Sequence, residues 1–351
     1  MKKLSSFFSA LFKPKGKNKE SAVIHIHREP DFSNYPPSGL VCGKQDPPYE
    51  LKMNKRIDLF NLKGYEDAIN VEISSKEWFI KGKDLIDLKA YEEAIKCFNK
   101  AIEIKPDYLE AWISKGWAFN NLGRYEEELI CYNKAIEIKP DFNGAWFNKG
   151  VTLGKLERYE EAIKCYDKAI EIKPDKLEAW FNKGNALYDL KKYKKAIKCF
   201  DKAIEIKINY HEAWYGKGNA LANLKKYQEA IDCYDKAIEK NKDFHEAWYN
   251  KGIAFKNIKK YKEAIECYDK AIEIKQDKLE AWVNKGYALN YLKRYEEAIK
   301  CYDKAIEIKS DFAIVWNNKG IALKNLRRYY EAKECYKIVE EIKNKLENEN
   351  K

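Results

Sequence analysis

The sequence predicts an all-α fold of repeated antiparallel helix pairs, and three observations carry that expectation. Trp78, Trp112, Trp146, Trp180, Trp214, Trp248, Trp282 and Trp316 stand 34 residues apart in the 351-residue chain. Within each interval apolar residues recur at helical spacing, break phase once and resume. The composition, 45% hydrophobic and 35% charged, supplies enough apolar content for a folded core and argues against wholesale disorder.

The elements follow in chain order. In residues 1–19, Leu4, Phe7, Phe8, Leu11 and Phe12 fall at i, i+3, i+4, i+7, i+8, with lysines on both flanks. Three readings fit this segment: an interfacial helix on an anionic membrane, a signal peptide, or a basic tail that orders on a partner. Residues 20–48, with "NYPPSG" and "DPPY", read as a flexible linker. Residues 49–74 look like a degenerate capping unit, with Arg56 where the other units have glycine.

Eight full units span residues 75–346, and residues 347–351 form a tail. In one unit Ala179, Trp180, Gly184, Leu187 and Leu190 share a helix face. "LKKY" (190–193) then breaks the phase, and Ala196, Ile197, Phe200, Ala203 and Ile204 form the next face. Gly184 and Ala196 let the two backbones approach closely. Pro106, Pro140 and Pro174 stop the second helix, whereas Ile208, Lys242, Gln276 and Ser310 make the later junctions less sharply specified. Lys333 and Glu340 replace Ile or Leu of all seven preceding units, as suits an outer face without a neighbour.

These Trp, Gly, Tyr, Ala, aromatic, Ala and Pro positions resemble the tetratricopeptide repeat. The resemblance implies a right-handed superhelical solenoid of stacked antiparallel helix pairs. Its first helices line a concave groove for a peptide or partner helix. Glu128 departs from the pattern, standing where the other units have alanine, and puts tight packing of the second unit in question.

The candidate site is that groove. Asn148, Asn182, Asn250, Asn284 and Asn318 recur two residues after the Trp, with Asn185 and Asn219 on the same face. A primary amide donates and accepts at once, so a ladder of amides suits a peptide backbone. In the resembled family, asparagines matching the first set line the groove. Phe147, Phe181, Tyr215 and Tyr249 lie beside them and are expected to be exposed. Glu178, Glu212, Glu246 and Glu280 set a negative groove charge, which argues against a carboxylate clamp and for a neutral or basic segment.

Lysines three residues after each of the eight repeated Trp, Lys81 to Lys319, fall inside the buried stripe, where an unpaired ammonium is costly. A glutamate 25 residues after each Trp, such as Glu205 beside Lys183, is their expected partner. Cysteines at 19 residues after the Trp, Cys97 to Cys335, are a whole repeat apart and read as small buried hydrophobes. With nine cysteines and no close pairs, a reducing, cytoplasmic setting is expected, with peripheral membrane contact as an option.

No cofactor or metal is expected. His25, His27 and Cys42 lack zinc-site spacing, and no P-loop, nucleophile elbow or acid–base pair appears, so the chain reads as non-enzymatic. The main expectation is a protein-interaction scaffold. The net charge of +11 keeps nucleic-acid binding as an alternative, disfavoured because Lys and Glu are interspersed. A purely structural or self-associating array is the third reading.

Overall fold

A computed structural model describes residues 75–349. The amphipathic segment 1–19 with Leu4, Phe7, Phe8, Leu11 and Phe12, the linker, the unit at 49–74 and the His25, His27 and Cys42 set lie outside the described residues. Among the described residues, sixteen α-helices pair in series and there is no strand, an all-α repeat solenoid.

The described residues divide into two compact units. Residues 75–174 hold α1 (Ser75–Asp87), α2 (Tyr91–Ile104), α3 (Leu109–Asn121), α4 (Tyr125–Ile138), α5 (Asn143–Lys155) and α6 (Tyr159–Ile172). Residues 175–349 hold α7 (Leu177–Asp189), α8 (Tyr193–Ile206), α9 (His211–Asn223), α10 (Tyr227–Lys240) and α11 (His245–Asn257). They continue through α12 (Tyr261–Ile274), α13 (Leu279–Tyr291), α14 (Tyr295–Ile308), α15 (Ala313–Asn325) and α16 (Tyr329–Glu349). The last helix thus runs past residue 346, and both Lys333 and Glu340 are exposed on it.

Each pair closes through the same turn. At "LKKY" the Lys191 N–H donates to the Tyr188 carbonyl and the Lys192 N–H to the Leu187 carbonyl, both at 2.8 Å. This satisfies the last carbonyls of α7 and puts Lys191 in the left-handed region at φ 59°. Inside the pair, the aromatic 20 residues after the Trp packs beneath the glycine. A Cβ on Gly184 would stand 2.6 Å from the Phe200 ring, so only glycine allows this approach. Phe200, Tyr234, Tyr268 and Tyr302 are fully buried there, among the buried alanines at 16 residues after the Trp.

The junctions between pairs are uniform. At six junctions the Trp indole N–H donates to a carbonyl six residues upstream, on Pro106 and Pro140 but equally on Ile208, Lys242, Gln276 and Ser310. The backbone oxygen does this work whatever side chain follows it. The later junctions are therefore as well specified as the proline ones.

The repeated lysines have a different partner from the expected one. Each Nζ, from Lys81 to Lys319, lies 4.9 to 5.6 Å from the ring centroid of its own Trp. In residues 175–349 a carboxylate of the preceding repeat completes the cage. Lys217 pairs with Asp201, Lys251 with Asp235, Lys285 with Asp269 and Lys319 with Asp303, at 2.5 to 2.7 Å. Glu205 instead pairs with Lys202 on its own helix at 2.6 Å. All eight described cysteines are buried and outside any disulfide, and burial raises the Cys131 and Cys267 thiols to about 12.

A recess on the inner face, and a buried carboxyl

The first helices of residues 175–349 bring part of the expected face together. A recess of about 400 Å³ opens around Gly216 in α9, where the other repeats of this unit carry asparagine. Gly216 and Ala222, small at two groove positions, leave the space. Phe181, Asn185, Tyr215, Asn219, Tyr249 and Asn250 line it, as do Glu212 and Glu246. Tyr188, Asn223, Asn257, Ile253 and Lys278 also line it. Asn182, Asn284, Asn318, Glu178 and Glu280 do not, and Phe147 and Asn148 belong to residues 75–174.

The expected exposure of the aromatics is wrong. Phe181 and Tyr215 are buried, and Phe147 and Tyr249 are half-buried. Each leans on the ring 20 residues after its own Trp: Phe147 on Tyr166, Phe181 on Phe200, Tyr215 on Tyr234 and Tyr249 on Tyr268, with centroids 5.9 to 6.1 Å apart. Phe181 and Tyr215 also meet Tyr210 and Phe244 from the next junction. They are the floor of the recess rather than its rim.

The asparagines divide into engaged and available groups. Asn284 donates to the Tyr249 hydroxyl at 3.0 Å and to the Glu280 carbonyl, and accepts from Lys256 at 2.7 Å. Its capacity is used inside the fold, so it is a strut between repeats and not an open rung. Asn182 is buried as well. Asn250 donates to the Tyr215 hydroxyl at 2.9 Å and to Asn219 Oδ1 at 3.0 Å, which leaves its own Oδ1. Asn223 donates to Tyr188 Oη and the Asn219 carbonyl, both at 2.9 Å, which likewise leaves Oδ1. Asn185 Nδ2 is buried and unpaired among the described residues. Spacing alone placed these amides on one face; the hydroxyls they meet come from the preceding repeat, which a helical wheel of one unit does not contain.

Charge is concentrated on two of the four glutamates. Glu178 has Lys176 at 3.7 Å, and Glu280 has Lys278 at 3.3 Å. Glu212 and Glu246 are instead met by His211 at 3.1 Å and His245 at 3.2 Å. Burial lowers the His245 imidazole below its ordinary range, against the pull of Glu246, so at neutral pH it leaves that carboxylate uncompensated.

Residues 75–174 hold a different centre. Glu128 is buried on α4, and its carboxyl is raised from 4.5 to about 7, chiefly by burial. Asn120 Nδ2 donates to both carboxyl oxygens at 2.9 Å, and Lys155 Nζ donates to Asn120 Oδ1 at 3.0 Å. Tyr132 and Thr152 also hydrogen-bond Glu128. The Thr152 hydroxyl donates to the Asn148 carbonyl at 2.9 Å, so toward Glu128 it can only accept. A protonated carboxyl fits that arrangement. The packing questioned from sequence is tight, because Asn120 and Thr152 partner the carboxyl, and Lys155 holds Asn120, where other repeats need only alanine.

Among the described residues no His, Cys, Asp and Glu cluster has metal-site geometry, and no helix is long and apolar enough to cross a membrane.

Comparison with known proteins agrees with this geometry. Family models described as tetratricopeptide repeat match residues 75–108, 109–142, 144–176, 177–210, 211–244, 245–278, 279–312 and 313–345. No curated protein matches the chain. Among solved structures, the C-terminal part of a TPR repeat-containing protein from Cytophaga hutchinsonii is 18% identical with a TM-score of 0.59, covering 68% of this chain and 98% of that one. A tetratricopeptide repeat protein from Parabacteroides merdae is 17% identical with a TM-score of 0.54, covering 71% and 98%. YrrB, described as a TPR protein with an unusual peptide-binding site, is 27% identical with a TM-score of 0.46, covering 52% of this chain and 95% of its own.

Proposed function

Since the chain belongs to the tetratricopeptide repeat family, whose proteins bind other proteins or peptides, we propose that the recess around Gly216 holds an extended peptide bearing a basic side chain. The carrying observation is the coincidence at one place of a missing side chain and two glutamates with no lysine partner. Phe181, Tyr215 and Tyr249 form an apolar floor, and the free oxygens of Asn223 and Asn250 accept from the peptide backbone. Glu212 and Glu246 take the lysine or arginine. The chain acts as an interaction scaffold, and nothing in this reading requires catalysis.

The test is selection of displayed dodecapeptides on the full chain. Selected peptides should carry Lys or Arg and lose about tenfold in affinity to the Glu212→Gln, Glu246→Gln variant, as expected for removing buried charge pairs. Peptides without a basic residue, or with unchanged affinity, contradict it. The affinity should also fall as pH drops below the ordinary imidazole range, where a protonated His245 neutralises Glu246.

The amphipathic, lysine-flanked spacing of residues 1–19 supports a second contact, with an anionic membrane surface. Vesicle flotation with and without those residues tests it, and equal flotation removes it.

A further inference from the structure

A second surface runs along the edge formed by the turns inside each helix pair, which the recess reaches at Asn223, Tyr227 and Asn257. Four positions build it: the two residues before the tyrosine that starts each second helix, and the two after it. Over the five turns of residues 175–349 these positions carry thirteen Lys and Arg against five Glu. Over the three turns of residues 75–174 they carry three against seven. The sequence expectation of interspersed charge fails at this edge.

The excess is not neutralised within the fold. Lys226, Arg294 and Arg328 pair with Glu229, Glu297 and Glu331 on their own helices. Lys191, Lys225, Lys259, Lys293 and Arg327, one per turn, are exposed and pair with no acid among the described residues. All five have φ between 59° and 64°, a conformation that favours glycine, yet each is a cation. The first turn of α8 is the extreme case: it contains Lys194 and Lys195 and no acid, whereas every other described second helix has at least one. Two lysines at the positive end of a helix dipole oppose the stability of α8.

Aromatic rings stand among these cations. Tyr291 is 56% exposed and stacks on Tyr261 at 4.8 Å, and Tyr330 is 78% exposed beside Arg327 and Arg328 in sequence. Of the exposed isoleucines of residues 175–349, Ile206, Ile208 and Ile308 lie at the opposite ends of the helix pairs, and Ile321 lies within α15 at the position of Asn185 and Asn219 in their repeats. The turn edge therefore offers cations and tyrosine faces without aliphatic side chains to enter a bilayer.

We propose that the turn edge of residues 175–349 is a binding surface for single-stranded nucleic acid, with the cations along its phosphates and the exposed tyrosines against its bases. Cations repeated once per helix pair, roughly 10 Å apart at helix-packing distances, suit a regular polyanion better than the irregular charge of a folded protein. Tyrosine faces accept any base, so binding is sequence-tolerant.

The test is fluorescence anisotropy of the full chain with a labelled 20-nucleotide oligouridine RNA. Five phosphates neutralised, one per turn, give a log–log salt slope near about −3.5 and about hundredfold weakening between 50 and 200 mM salt. The Lys191→Glu, Lys194→Glu, Lys195→Glu variant should lose at least about tenfold and flatten that slope. Acids at the start of α8 favour the helix dipole, so loss of folding does not explain that result. Tyr291→Ala with Tyr330→Ala should weaken binding about fivefold at unchanged slope. A control of equal charge change, Lys96→Glu, Lys139→Glu, Lys164→Glu, should bind RNA as the parent does. Equal loss in the control overturns the proposal, as does no RNA binding at 50 mM salt. Binding to phosphatidylserine vesicles or polyglutamate as tight as to RNA overturns it too.

Discussion

Residues 175–349 and residues 75–174 are built from one 34-residue unit but handle charge inside that unit differently. In the former, Lys217, Lys251, Lys285 and Lys319 each reach an aspartate of the preceding repeat. In the latter, Asn99 and Asn133 stand where an aspartate would meet Lys115 and Lys149, and both lysines rest on their tryptophans. Residues 75–174 instead place their acid deeper, as Glu128, where burial holds its proton up to about pH 7. The same backbone thus tolerates a cation held by a half-exposed partner or an acid held by amides and hydroxyls. What differs is only which neighbours the adjoining repeats supply.

The largest expected effect is at Glu128. A folded carboxyl at about 7 against an ordinary 4.5 binds its proton where the unfolded chain has released it. Its stabilising contribution is therefore complete below about pH 4.5 and lost as pH rises to about 7, a change of roughly 3 kcal/mol. Glu128→Gln should remove that slope, and urea melts at pH 5 and pH 8 measure it. If wild type and Glu128→Gln show the same pH dependence, the carboxyl is not the titrating group.

Two glycines give effects of opposite sign. A Cβ on Gly216 would stand 2.8 Å from the Phe200 ring, which is itself buried, so Gly216→Ala should cost about 1–3 kcal/mol. A Cβ on Gly154 meets nothing nearer than 3.7 Å, so Gly154→Ala should stabilise α5 by about 0.5–1 kcal/mol. Thermal melts of the two variants decide this, and shifts of the same sign would contradict the packing described.

The smallest effect belongs to the lysine cages. Asp235→Asn should cost about 0.5 kcal/mol because Asp235 is half exposed, and the cost should shrink in high salt. The converse, Asn133→Asp, should give Lys149 the matching carboxylate and recover part of that amount. A larger loss at high salt than at low would show that the aspartate acts by packing.

The fold was legible because eight copies in register separate the positions that packing constrains from those it leaves free. Trp, Gly, Tyr and Ala each recur because each fills a defined gap. Partners across the junction were less legible. Glu205 and Asp201 both recur near the lysine position in sequence, and only the stacking of one helix pair on the next selects the aspartate. The aromatics after each Trp were misread for a related reason: the wheel puts Phe181 toward the inner face, but Phe200 below and Tyr210 beside it close over the ring. The recess was visible only as an interruption, Gly216 in a row of asparagines, and its meaning depended on the volume that glycine leaves.

Hydrogen–deuterium exchange of the full chain, with and without a peptide selected on it, tests the central claim most directly. Protection concentrated in α9 and α11, the helices that carry Glu212, Gly216, Glu246 and Asn250, is the expected result. Protection confined to residues 75–174 would show that the peptide binds elsewhere and that the recess around Gly216 is not the site.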